Sequence, residues 1–285
     1  PMFDFKIVEY LHNYLRDKGI NLLTGEQAQQ FITKDQMVAH VYTKSGKKIP
    51  ADLVFMGIGT RPSVDLAKKA GIAIGESGAI EVDQYMQTNV DGVYAAGDCC
   101  QCIHNLTGRH GPYNLASIAN RQGRAAGYNA AGGQDSFEGT HIASIIKVLD
   151  LALAKTGISF KEAKSAGIDA GQIEVHYLDH AGYYPGAEMI HMLLIYDRKN
   201  GAVLGLQAIG RKGVDKRADI VSTAIKAKLN IEDLGQIDLC YQPEYGSAKD
   251  PINILGMIGE NLGKDEVEFI DTEELGNLRD EGRDL

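Results

Sequence analysis

Residues Thr88 to Asp98 read TNVDGVYAAGD, and the rest of the chain is best read outward from them. Val93 to Ala96 make a short apolar run of strand character that meets Gly97 and ends on one carboxylate, Asp98. In an open α/β sheet, ligands bind beyond the carboxyl ends of the strands, so an acid in that place points into a crevice. Gly97 carries no Cβ, which lets a ligand approach the backbone. Gly97 and Asp98 are also residue types that turn a chain after a buried strand, and on these residues alone both readings stand.

A chain of 285 residues is long enough for about two domains with real cores. With 33 glycines, 44% hydrophobic residues, 7% aromatics and no Trp, its composition suits an α/β enzyme and excludes a fibrous or disordered chain. A net charge of −9 argues against a nucleic-acid surface or a polybasic membrane contact. No apolar run approaches the ~18 residues of a membrane span, and no signal-peptide pattern opens the chain. A cytoplasmic protein is expected, with its four cysteines reduced.

N-terminal to the opening stretch, Ile7, Val8, Leu11, Tyr14 and Leu15 share one face of an amphipathic helix stopped by Gly19. Strands are expected at Ile20 to Leu23 and Met37 to Tyr42, with a turn at Ser45 and Gly46. A buried strand is expected over Ala51 to Ile58, ending in Gly59-Thr60-Arg61-Pro62. Ser63 is the expected cap of a helix to Ala70. On the other side, Tyr113 to Ala131 reads as a long helix with Leu115, Ile118, Gln122, Ala125 and Ala126 on one face. Its N-terminus would offer unpaired N–H groups beside the crevice, or the helix simply covers a sheet.

Cys99, Cys100 and Cys102 do not match the paired spacing of zinc sites, and packing is the expected role, with no metal. His104 and His110 earn no role. From Lys147 the pattern becomes sequential strands with helices set apart: strands at Lys147 to Ala154, Gln172 to Leu178, Met189 to Tyr196 and Ala202 to Ile209. Ser159 to Glu162 is a capping box that starts a short helix ending near Gly167. Helices follow at Asp215 to Leu229 and Asp250 to Leu262. Two Gly/Pro-rich stretches carry tyrosines, HAGYYPG at His180 to Gly186 and YQPEYGSAKDP at Tyr241 to Pro251. Their hydroxyls can serve a developing anion or pack a subunit interface.

GIGTRPS, TNVDGVYAAGD, LASIANRQGRAAGYN, HAGYYPGAE, GVDKRADIVSTAI and GSAKDPIN occur in one order over residues 1–263. As a set they resemble the C-terminal portion of the pyridine nucleotide-disulfide oxidoreductases, in the branch of coenzyme A-disulfide reductases, NADH oxidases and NADH peroxidases. The resemblance implies an α/β chain: partial FAD- and NAD(P)-binding Rossmann-like domains followed by an α+β dimerisation domain. Residues 1–60 would end the NAD(P)H-binding domain, 61–148 form the second segment of the FAD domain and 149–263 the dimerisation domain. Residues 264–285 would be a linker or the start of a rhodanese domain, with a strand at Val267 to Ile270 and a helix from Thr272.

The resemblance also implies site residues. Asp98, with Gly97 beside it, would hold the ribityl chain of FAD, and Leu115 and Ala116 would bring backbone groups to the flavin ring. Gly59 would lie near NADH or NADPH, and Asn120 on the substrate side. Tyr183, or Tyr184 if the alignment slips by one, and Tyr245 would be the catalytic tyrosines, the latter reaching a partner subunit's flavin in a homodimer. This tyrosine pair favours a reductase of coenzyme A disulfide or of persulfide and polysulfide substrates. The alternatives are an NADH oxidase or peroxidase acting on O2 or H2O2, and a non-catalytic dimerisation fragment. The chain departs from the family in having no G-x-G-x-x-G and no cysteine in the family's N-terminal active-site context. An incomplete part of a longer enzyme is therefore expected.

Overall fold

The computed structural model describes residues 2–264, 270 and 272–282. It is a mixed α/β chain whose largest sheet lies in its second half. Helix α1, Phe5–Asp17, forms as expected and is released through Gly19 at φ 77°. Its apolar face leaves the first half: Ile7 is fully buried, with Val8 and Leu11 beside it, in a cluster contributed by the second-half sheet.

Strands β1 (Ala28–Lys34), β2 (Met37–Thr43) and β3 (Lys48–Pro50) form an antiparallel sheet in that order. The strands expected at Ile20 to Leu23 and Ala51 to Ile58 do not form. Ala51 donates to Ala39 O at 3.0 Å, and beyond it the chain runs free of any sheet, with Leu53, Phe55 and Ile58 exposed by 86%, 94% and 86%. An apolar strand is buried only when neighbours cover it, and no described residues supply them. Helix α2, Asp65–Lys69, begins later than expected; buried Val64, not Ser63, occupies the cap position, and no side chain caps the helix.

The opening stretch is a tight hairpin and not a sheet strand. Thr88 N donates to Val93 O at 2.9 Å and Ala95 N to Met86 O at 3.0 Å, around Gly92 at φ 72°. Val93 to Ala96 pairs back on its own preceding residues through one isolated bridge, Gln87 to Tyr94, because no longer strand lies beside it among the described residues. A two-stranded ribbon, β4 (Cys102–Ile103) and β5 (His110–Gly111), precedes α3, Ala116–Ala130. Leu115 is the cap residue of α3, so the helix starts later than Tyr113. Ile118, Gln122, Ala125 and Ala126 are buried on one face, as the spacing predicts.

The second half is an antiparallel five-stranded sheet in the order β6-β7-β10-β9-β8. Strands β6 (Ala143–Val148) and β7 (Leu151–Gly157) replace the single strand expected from Lys147 to Ala154. The chain reverses at Leu149, φ 56°; a left-handed leucine is rare, so the apolar run hides the turn. Helix α4, Phe160–Ser165, carries the expected capping box in full. Then come β8 (Ala170–Leu178), β9 (Met189–Asp197) and β10 (Val203–Gly210), followed by α5 (Val214–Ala227) and α6 (Pro251–Gly263).

Both faces of this sheet are covered, which is why its central strands read as continuous apolar runs. Met192 and Leu194 pack with Val221 of α5 and Leu255 of α6, whereas Leu193 and Ile195 face the cluster of Ile7 and Ala163 from α1 and α4. Each such buried side chain contributes about 1.5–3 kcal/mol. The expected strand at Val267 to Ile270 lies outside the described residues except for Ile270, and a helix α7, Thr272–Asp280, occurs where one is expected. Among the described residues no helix is long and apolar enough to cross a membrane.

Candidate functional site

Helix α3 gathers the first group of predicted residues at its N-terminal end. Gly97 N–H donates to Gln122 Oε1 at 2.9 Å, and Gly97 sits at φ 88° with room for a Cβ only 3.8 Å from that of Ala119. The positive φ requires glycine, and the buried Gln122 pins the turn to the helix. Asp98 follows on the surface, and its carboxylate makes no hydrogen bond or ion pair among the described residues.

From the other side, Asn114 Nδ2 donates to Thr60 Oγ1 at 2.9 Å, which holds the Gly59 loop against the start of α3. Gly59 is at φ 92° with nothing within 4 Å of a built Cβ, so open space adjoins it. Leu115 and Ala116 form the first turn, which no side chain caps. Helix N-termini present unpaired N–H groups and partial positive charge, a setting for an electron-rich ring edge. Asn120 is exposed one turn further on. Gly59, Gly97, Asp98, Leu115, Ala116 and Asn120 are thus brought to one end of one helix.

The tyrosine loops form a second group, rooted on a buried ion pair. Arg217 of α5, 1% exposed, donates Nη2 to Asp250 Oδ2 at 2.7 Å and Nε to Asp250 Oδ1 at 3.2 Å. The same Nη2 donates to Asp179 O at 2.7 Å. Asp179 stands at the base of the 180–186 loop, and Asp250 ends the 241–249 loop and caps α6, so one guanidinium ties both loops down. Ala181 N–H then bonds across to Gly246 O at 3.1 Å.

The hydroxyl pair that results is Tyr183 with Tyr241, at 3.1 Å. Tyr183, 77% exposed, is held above the ordinary tyrosine pKa, first by that bond. Tyr245, 69% exposed, joins the loop only through its backbone. Tyr183 therefore has Tyr241 as its hydroxyl partner within the chain, while Tyr245 stands exposed at the turn of Gln242 to Gly246. Tyr184 is partly buried against the ring of His180. Within this chain no hydrogen bond, ion pair or ring contact among the described residues joins the tyrosine loops to the α3 group.

The sequence gives no role to Arg217 or Asn114, does not single out Tyr241 as the partner of Tyr183, and places Gln122 only on the inner face of its helix. Their roles come from contacts between distant segments, which no local spacing signals.

Cys100 and Cys102 are buried and pack in apolar clusters, as expected. Burial pushes both thiols up, Cys102 to about 11 and Cys100 further with Cys99 Sγ only 3.7 Å away. The thiolate is the reactive form, so both are poor nucleophiles near neutral pH. Among the described residues no group of three His, Cys, Asp or Glu is placed to hold a metal.

Two family models match the chain: pyridine nucleotide-disulphide oxidoreductase over residues 1–123, and its dimerisation domain over residues 143–250. The chain belongs to the pyridine nucleotide-disulphide oxidoreductase family. Among related members of that family, it is 34% identical to an NADH oxidase of Methanocaldococcus jannaschii, over 89% of this chain and 56% of the relative. It is 33% identical to an NAD(P)H sulfur oxidoreductase (CoA-dependent) of Pyrococcus furiosus, over 89% of this chain and 54% of the relative. The structure of an NAD-dependent persulfide reductase from A. fulgidus matches with a TM-score of 0.91 at 37% identity, over 96% of this chain and 51% of that one. The chain thus spans about half the length of these family members.

Proposed function

We propose that the chain works as part of an FAD-dependent enzyme that takes electrons from NADH or NADPH and reduces coenzyme A disulfide or a persulfide or polysulfide. The observation that carries this reading is the convergence of the Gly59 loop, the Gly97-Asp98 turn and Leu115-Ala116 on the uncapped start of α3. The domain division at residues 60, 148 and 263, the homodimer and the cytoplasmic setting belong to the same proposal, as does a linker or rhodanese start in 264–285.

These residues fit a flavin. The unpaired Asp98 carboxylate can accept hydrogen bonds from ribityl hydroxyls, and the bare Gly97 backbone gives them room. The first turn of α3 presents N–H groups to the ring edge, and the open space at Gly59 leaves the nicotinamide room to stack. Bound flavin supplies the step from a two-electron hydride donor to sulfur. The nucleophilic thiolate would be a cysteine outside this chain, none of whose four cysteines sits in the family's active-site context, and burial further disarms Cys100 and Cys102. Tyr183 and Tyr245 would donate hydrogen bonds to the departing thiolate, reaching the flavin of a second copy, with Tyr241 bonded to Tyr183 and Asn120 on the substrate side.

The names of the P. furiosus and A. fulgidus relatives support sulfur as the acceptor, and that of the M. jannaschii relative supports oxygen as the second reading. Anaerobic NAD(P)H oxidation by the full-length protein, with coenzyme A disulfide or persulfide as sole acceptor, tests the choice. Turnover with sulfur acceptors upholds the reductase reading; turnover confined to oxygen or peroxide replaces it with the oxidase.

A further inference from the structure

A cavity of about 250 Å³ lies where α3, the 135–141 segment and α5 meet, and it shares no residue with the group at the start of α3. Arg121 and Arg124 of α3 and Lys226 of α5 line it. Lys226 is matched by Glu138, at 2.5 Å. The Arg121 guanidinium carbon is 5.3 Å from the centroid of the Phe137 ring, which steadies that side chain at the cavity wall. Arg124 makes no hydrogen bond, ion pair or ring contact among the described residues. Asp135 is the opposing carboxylate, so two guanidinium groups face a single negative charge. His141, in the same wall and bonded to Ser222 Oγ at 2.8 Å, registers the resulting field: after burial, Arg121 and Lys226 are what hold its pKa below the ordinary value.

We propose that this cavity binds a phosphate group, either as free inorganic phosphate or as the terminal group of a small phosphomonoester. Planar guanidinium forks match tetrahedral oxyanions in a bidentate manner, and a dianion answers the two guanidinium groups, of which Arg121 also donates Nε to Ser117 O at 3.4 Å, better than a single carboxylate would. Ser136 and Asn105 add neutral hydrogen-bonding groups to the same wall. The volume exceeds that of one phosphate, so it leaves space for a few atoms of an ester.

The test is calorimetric titration of the full-length protein with inorganic phosphate and with glycerol 3-phosphate, at ionic strength fixed with chloride. Saturable binding is expected, weakened at least ~10-fold in Arg124→Gln and less in Arg124→Lys, which keeps the charge but not the fork. Arg121→Gln should weaken it likewise, and Lys69→Gln, outside the cavity on α2, should leave it unchanged. A tighter grip on glycerol 3-phosphate identifies an ester as the ligand, and equal affinities identify the free ion. Absence of saturable binding, or an affinity unaltered in both arginine variants, overturns the proposal.

Discussion

The phenolic oxygens of Tyr183 and Tyr241 stand 3.1 Å apart although 58 positions separate them in the chain. Each hydroxyl has one proton to give, so when one tyrosine donates to the other, the second is left to donate outward. Either hydroxyl can be the donor within the pair, and the bond to Tyr241 is the first cause of the raised Tyr183 pKa. In Tyr241→Phe the ultraviolet titration of Tyr183 should move down toward the ordinary tyrosine value. In the full-length enzyme the same change should slow the sulfur half-reaction about 10²-fold, the low end of general-acid contributions. Flavin reduction by NAD(P)H should be unaffected, and stopped-flow absorbance separates the two half-reactions.

Asp98→Ala removes the carboxylate proposed to hold the ribityl chain. Hydrogen bonds to a charged group are worth about 1.5–3 kcal/mol, so flavin affinity of the full-length protein should fall about 10- to 100-fold. The flavin-to-protein absorbance ratio after gel filtration measures it, with Asp98→Asn expected to fall between.

Arg217 and Asp250 are 1% and 2% exposed. Removing the cation in Arg217→Ala leaves the buried Asp250 carboxylate with only Lys216 Nζ, at 3.5 Å, as a charged partner, and should cost no more than about 3–5 kcal/mol in urea unfolding. The loss should reach both tyrosine loops, seen as faster amide exchange at 180–186 and 241–249.

His191 stacks on Tyr10 of α1, ring centroids 3.9 Å apart, and touches His176 across β8 and β9, with Glu174 bonded to the far nitrogen of His176. Burial, then His176, lowers its pKa to about 4 from 6.5. Between those values the unfolded chain binds more protons than the folded one, so stability is complete above 6.5 and declines as pH falls toward 4. The side chain is half-buried, and solvent screening reduces the effect to on the order of 1 kcal/mol. Urea midpoints at neutral and acidic pH should show this slope, and His191→Gln should flatten it.

Asp4 docks α1 on the second-half sheet. Its backbone N–H donates to Gln207 Oε1 at 2.6 Å, and its carboxylate accepts Gln207 Nε2 at 2.6 Å and Phe160 N–H at 2.7 Å. Gln207 is fully buried, so Asp4→Ala strands its amide and should cost about 1–3 kcal/mol. Proteolysis within 18–27 should accelerate in parallel as α1 is released.

Features fixed by neighbouring residues were legible in the sequence. Ser159 and Glu162 announce α4, and Asp250 with Pro251 announces α6, because caps act within a few residues. The glycine turns at Gly59 and Gly97 were legible for the same reason, and both have positive φ. What escaped depends on distant partners. Arg217 reads as one more charge on an amphipathic helix until Asp179 and Asp250 enclose it. Tyr241 and Tyr245 look alike in a loop, and only the partner at Tyr183 distinguishes them. Ala51 to Ile58 has the texture of a buried strand, yet texture states what a segment needs and not whether it is met.

The bare run after β3 has a practical consequence for the chain in this form. Leu53, Phe55, Met56 and Ile58 are all exposed along a run whose backbone beyond Ala51 makes no hydrogen bond among the described residues, and such an unclaimed apolar segment templates pairing with any other extended chain. Self-association through 51–58 should therefore rise steeply with protein concentration, making this segment the first place to add a charge when the protein is prepared for solution work.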